Sequence, residues 1–123
     1  MTTLTEGKHA GGFLVWEVLR DYTRETITLA SGAGKLEPGT VLGKITTGGK
    51  FTALAPAATN GSQNAAGILW AGVDATAADA PGVVILRGPT IVNRHEIVWP
   101  DGALEAQITA ATAALAELGI ILH

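Results

Sequence analysis

The sequence predicts a mainly β protein: a small β-barrel or β-sandwich-like domain of short strands with one C-terminal α-helix and an extended N-terminal arm. Three observations carry this. The apolar stretches are of strand length and rich in Val, Ile, Thr and aromatic residues. Glycine and proline punctuate them, with 16 Gly and 5 Pro in 123 residues. A single late segment has helical spacing, with Leu104, Ile108, Ala111, Leu115 and Leu118 forming one stripe.

Taken in order, Met1 to Gly12 is polar and small, with Gly11-Gly12 as a joint. Phe13 to Leu19 is an apolar run of strand character, followed by the charged patch Arg20 to Glu25. Thr26 to Ala30 alternates with period two, as a half-buried strand does. Ser31 to Gly34 reads as a turn, and Pro38-Gly39 suits the centre of a type II turn. Val41–Thr46 and Lys50–Leu54 flank Thr47-Gly48-Gly49 and predict a hairpin. Ala55 to Ala65 is a loop containing Asn60-Gly61. Ala66–Val73 reads as a central, largely buried strand and Gly82–Leu86 as another strand; Ile91-Val92 and Ile97–Trp99 are shorter ones. The helix is expected at about 102–118, capped by Asp101 and ended by Gly119. Ile120 to Leu122 is a last strand. Trp70 is expected in the core, and Trp16 is the better contact residue.

A chain of this length is one domain with a modest core. Charged residues make up only 15% against 47% apolar, a low charge for a surface fully in water. Either partners cover part of that surface, or the domain is simply compact and turn-rich. The net charge of -3, with eight scattered Lys and Arg, argues against nucleic acid, whose phosphates need clustered cations, and against an anionic membrane. Without cysteine there is neither a disulfide framework nor a thiolate site. Met1 to Glu6 has no basic and apolar leader pattern, and no apolar run is long enough to span a bilayer, so a soluble protein made in a cytoplasm is expected.

The search for chemistry finds nothing convergent. His9, His95 and His123 have no metal-ligand spacing. Gly32-Ala33-Gly34-Lys35 lacks the Ser or Thr and the helix of a phosphate loop, and Gly48-Gly49-Lys50 fails likewise. Carboxylates are scattered, and Ser31 and Ser62 lack nucleophile-elbow glycines. Asn60-Gly61-Ser62 reads first as a turn rather than a glycan acceptor. No catalytic residue, cofactor or metal is expected.

The residues do resemble a family. Leu36 to Gly43, Pro56 to Ser62, Ala65 to Leu69, Val73 to Thr76, Ala80 to Val84, Val98-Trp99-Pro100 and Leu118 to Ile121, in this order and spacing, resemble the lambda-type bacteriophage head decoration proteins. Leu4-Thr5-Glu6-Gly7 and Phe13-Leu14-Val15 extend the resemblance over nearly the whole chain. The apolar Phe13–Leu19 run is a departure, since the lambda protein is more polar there. The resemblance implies a structural, non-catalytic homotrimer that binds the major capsid protein at local three-fold sites. It would sit on the outer face of the expanded virion shell and hold it against DNA pressure, with no nucleic-acid or membrane partner. The chain is expected to divide into an N-terminal arm with capsid-contacting strands at 1–30 and a decoration domain at 31–123. Phe13, Leu14, Val15, Trp16, Val18 and Leu19 are the candidate capsid-binding residues. On that reading, removal of residues 1–19 leaves a folded trimer; if the run is an ordinary core strand, it unfolds the protein. The competing classes are a biotinyl- or lipoyl-like carrier, with Lys50 near a hairpin tip, and a small ligand-binding barrel.

Overall fold

The structure is a computed structural model describing residues 9–123; the resemblance at Leu4 to Gly7 lies outside them. In chain order it contains β1 (Leu14–Glu17), the single turn α1 (Arg20–Thr23), β2 (Arg24–Leu29), β3 (Gly34–Leu36), β4 (Val41–Lys44), β5 (Phe51–Ala53) and β6 (Ala65–Leu69). Then follow β7 (Val73–Ala75), β8 (Ala80–Ile85), β9 (Thr90–Val92), a 3-10 turn (Arg94–Glu96), α2 (Glu105–Glu117) and β10 (Ile120–Leu122). The protein is mainly β, as expected. Strands β2, β5, β4, β6 and β8 close a barrel in that order, β1-β9-β10 form a second sheet, and β3-β7 a two-stranded ribbon.

The apolar content of each strand follows from how many of its faces are covered. Successive side chains of a strand point to opposite sides. In β4, β6 and β8 the adjacent pairs Val41/Leu42, Ile68/Leu69 and Val84/Ile85 are all fully buried. Leu42, Leu69 and Val84 fill the barrel with Leu29 and Phe51. Val41, Ile68 and Ile85 face outward into a second core, shared with Phe13, Val92, Ile120, Ala111 and Leu115 from β1-β9-β10 and α2. Strands covered on both faces read as unbroken apolar runs. Strand β2 has one wet face, with Thr26 and Thr28 exposed and Leu29 buried, and reads as an alternation.

The predicted turns form. Gly39 has φ 91, the left-handed value that the third residue of a type II turn needs, and Thr40 N–H donates to Glu37 O at 3.2 Å. The 45–50 hairpin is closed by Ile45 N–H donating to Lys50 O at 2.8 Å.

Four expectations need correcting. The 97–99 segment makes only an isolated bridge, Val98 to Thr40, because Pro100 ends it and Ile97 is anchored in the core. Strand β6 ends at Leu69, and Val73 starts β7 on a different sheet. The helix starts at Glu105 rather than near 102: Asp101 lies in an exposed turn, and Gln107 Oε1 accepts the Leu104 N–H at 2.9 Å instead. Its stripe is only half used, with Ala111 and Leu115 buried but Leu104 and Leu118 exposed.

The N-terminal strand is also built in. β1 pairs antiparallel with β9, Phe13 is in the core, and β2, inside the 1–30 segment, is a barrel strand paired along its whole length with β8. The arm expected at 13–19 is thus part of the folded body, because a strand with an apolar inner face gains more by burial than by projecting.

Candidate interaction face

An irregularity in β1 brings large apolar side chains to the surface. Leu14 pairs with Val92 and Trp16 with Ile91, so Val15 is an extra residue, a β-bulge. Without it, Trp16 would share the inner face of Leu14 and Glu17 would point to water. With it, Val15 and Trp16 are both outward and exposed, at 59% and 50%, and Glu17 turns inward.

On the outer face Trp16 stands opposite Ile91, and Ile91 opposite Ile121 of β10, so one apolar row crosses all three strands. Trp16 and Ile121 are exposed and Ile91 half-buried. Val18, Leu19 and Tyr22 continue the chain in exposed positions, with Val18 N–H held by Pro89 O at 3.1 Å. Of the candidate contact residues, the structure therefore brings Val15, Trp16, Val18 and Leu19 to the surface, half-buries Leu14 and buries Phe13. Sequence reasoning missed Tyr22, Ile91 and Ile121. Tyr22 lay in what read as a charged patch, and the other two join only through sheet pairing between segments distant in sequence.

Beneath this face a polar clasp ties β1 to the barrel. Glu17 Oε2 accepts from Thr23 Oγ1 at 2.7 Å and Arg24 Nε at 3.2 Å, and Glu17 Oε1 pairs with Arg24 Nη2. The Arg24 guanidinium also lies 3.4 Å from the centre of the Trp70 ring. Trp70 is half-buried, meets Phe13 edge-on, and its carbonyl receives the Gly11 N–H at 2.9 Å. Both ends of the pair are largely shielded, with side chains 11% and 17% exposed. Replacing Glu17 by Ala leaves a shielded guanidinium without its anion. It is expected to cost about 2–3 kcal/mol, read as a lowered urea midpoint; loss below about 0.5 kcal/mol would mean that the pair is no more than a surface contact.

Chemistry elsewhere is sparse. Among the described residues no three His, Asp or Glu side chains gather as metal ligands, and no helix is long and apolar enough to cross a membrane. Two exposed carboxyls are held below the usual range. Asp79 owes this first to the Lys50 ammonium, whose Nζ is 2.5 Å away, and then to the Ser31 N–H; Asp74 owes it to the Thr76 hydroxyl and N–H. These are turn contacts at separate places, not two opposed groups in one cleft. Lys50 immediately precedes the return strand β5 and is already paired to Asp79, unlike a free carrier lysine.

The barrel offers an exposed apolar sheet face, and such patches mark sites where other proteins dock. The family comparison is specific. The bacteriophage lambda head decoration protein D family matches residues 3–120, and the chain belongs to that family. A comparison with curated proteins gives no match. The family gives the chain a structural role in decorating the phage head.

Proposed function

We propose that the protein binds as a homotrimer at local three-fold sites on the outside of the expanded phage shell. It grips the major capsid protein and reinforces the shell against DNA pressure, without catalysis. It is made in the host cytoplasm and ends on the virion surface. The observation that carries the reading is the exposed face of Val15, Trp16, Val18, Leu19, Tyr22 and Ile121. Such a cluster exposes on the order of 500 Å², at the upper end for patches on soluble monomers and typical of docking sites. Within it, Val15, Trp16, Val18 and Leu19 are the shell-contacting residues, while Phe13 and Leu14 hold their strand in place. A trimer turns its second and third contacts into intramolecular ones, so modest contacts give tight decoration. The net charge of -3 suits a surface turned away from DNA.

The test is sedimentation with expanded, undecorated shells of the same phage, and with unexpanded procapsids. The wild-type protein should pellet with expanded shells alone. Trp16→Asp should stay folded and lose at least tenfold in shell affinity, as truncation of a central aromatic anchor does. No pelleting with expanded shells would refute the decoration reading; undiminished pelleting of Trp16→Asp would refute the assigned face.

A further inference from the structure

We propose that the cleft between the 3-10 turn, α2 and β10 is a second docking site. It would take a protein segment that carries a carboxylate beside an apolar side chain. The cleft encloses about 260 Å³ and is lined by Arg94, His95, Trp99, Ile108, Thr112 and Leu122. This is below the usual size of small-molecule pockets and suits one or two side chains.

Its walls and its mouth differ in chemistry. Trp99, Ile108 and Leu122 are apolar and half-buried. The Thr112 hydroxyl donates to Ile108 O at 2.8 Å, so its proton is committed within the helix. Polar recognition therefore falls to Arg94 and His95, which are both exposed. Their placement is fixed by the backbone: Asn93 Oδ1 accepts the His95 N–H at 3.0 Å, and Asn93 O accepts the Glu96 N–H at 3.0 Å. That cap sets the two side chains on one short turn at the cleft.

The charge pattern selects the ligand. Acidic residues outnumber Lys and Arg by 11 to 8. Arg24, Lys50 and Arg87 each have a carboxylate partner. The side chains of Arg94 and His95 make no hydrogen bond or ion pair among the described residues. A permanently charged guanidinium beside a second nitrogen donor, above an aromatic wall, is complementary to a carboxylate, which it can hold with two parallel hydrogen bonds. The adjacent apolar side chain would lie against Trp99. This site is separate from the β1 face and stands whether or not that face meets the shell.

The probe is acetyl-Phe-Glu-amide, with the nearly isosteric acetyl-Phe-Gln-amide as control, titrated into the full chain while ¹H-¹⁵N spectra follow the indoles. The Glu peptide should shift the Trp99 indole and the amides of 94, 95, 108, 112 and 122 in a saturable way, with a Kd on the order of 1 mM. The Trp70 indole should stay in place. The Gln peptide should bind at least five-fold more weakly, and Arg94→Ala should reduce the Glu peptide to that level. Equal response to the two peptides, wild-type binding by Arg94→Ala, or no saturable shift at Trp99 would each overturn the proposal.

Discussion

Replacing Phe13 by Ala is expected to destabilise the protein by about 3–4 kcal/mol, the usual cost of deleting a buried aromatic ring and leaving a cavity. Phe13 is 2% exposed and sits in the core between the barrel and α2, its ring 6.1 Å from that of Trp70 at 70°. For a domain of this size the loss is a large share of the total stability and corresponds to a fall of roughly 10–15 °C in Tm. The informative comparison is Trp16→Ala, three residues on but on the wet side of the bulge, expected to change stability by no more than about 0.5 kcal/mol. Thermal melts of the two variants separate the roles: Phe13 holds the sheet, Trp16 is held out by it. Equal, small effects would mean that β1 is a detachable arm after all. The same reasoning changes the outcome of truncation. Removing residues 1–19 takes away a core aromatic and a paired strand, so an unfolded product is expected rather than a folded trimer.

Much of the architecture was legible because burial writes itself into local pattern. The apolar run containing Ile68-Leu69 marked a largely buried strand, and the Thr-Ile-Thr-Leu alternation of β2 marked one wet face. Turns at Pro38-Gly39 and Gly48-Gly49 were fixed by the backbone freedom they require. What was hidden depends on contacts distant in sequence. The bulge at Val15 is set by pairing with β9, and nothing within residues 13–19 shows which of Trp16 and Glu17 will face water. The row from Trp16 through Ile91 to Ile121 joins three segments that meet only in the folded sheet. At the helix start, Asp101 looked like the natural cap, yet Gln107 reaches back to Leu104 and the chain enters the helix later.

The Thr-Asn-Gly-Ser loop, one of the segments that carry the family resemblance, has a structural explanation that leads to the other large effect. Ser62 is 1% exposed, and its N–H and hydroxyl both donate to Asn60 Oδ1, at 3.1 and 2.6 Å. Its carbonyl accepts the Ala55 N–H at 2.9 Å, and Asn60 O accepts the Thr46 N–H at 2.8 Å, so the loop is stitched to the segments that follow β4 and β5. It can lie this close only because position 43 of β4 is glycine. A Cβ there would stand 2.2 Å from Ser62 O and 2.7 Å from two further Ser62 backbone atoms. Those atoms cannot swing aside as a side-chain tip would, so Gly43→Ala must push the loop off the barrel or open the β4–β6 register, which already shifts at Gly43. The expected cost is about 3 kcal/mol, the upper end for overpacked sites, read as a loss of soluble yield and a lowered urea midpoint. Gly72→Ala is the matched control. Its new methyl would make only ordinary contacts, 3.4 Å to Leu36 O and 3.7 Å to Pro38 Cδ, and a change within about 0.5 kcal/mol is expected. If Gly43→Ala proves as stable as that control, the 60–64 loop is free to retreat and its bonds to Thr46 and Ala55 do not fix the barrel. If it collapses while the control does not, the family motif is a clamp between loop and strand, and its residues answer to the fold rather than to the shell.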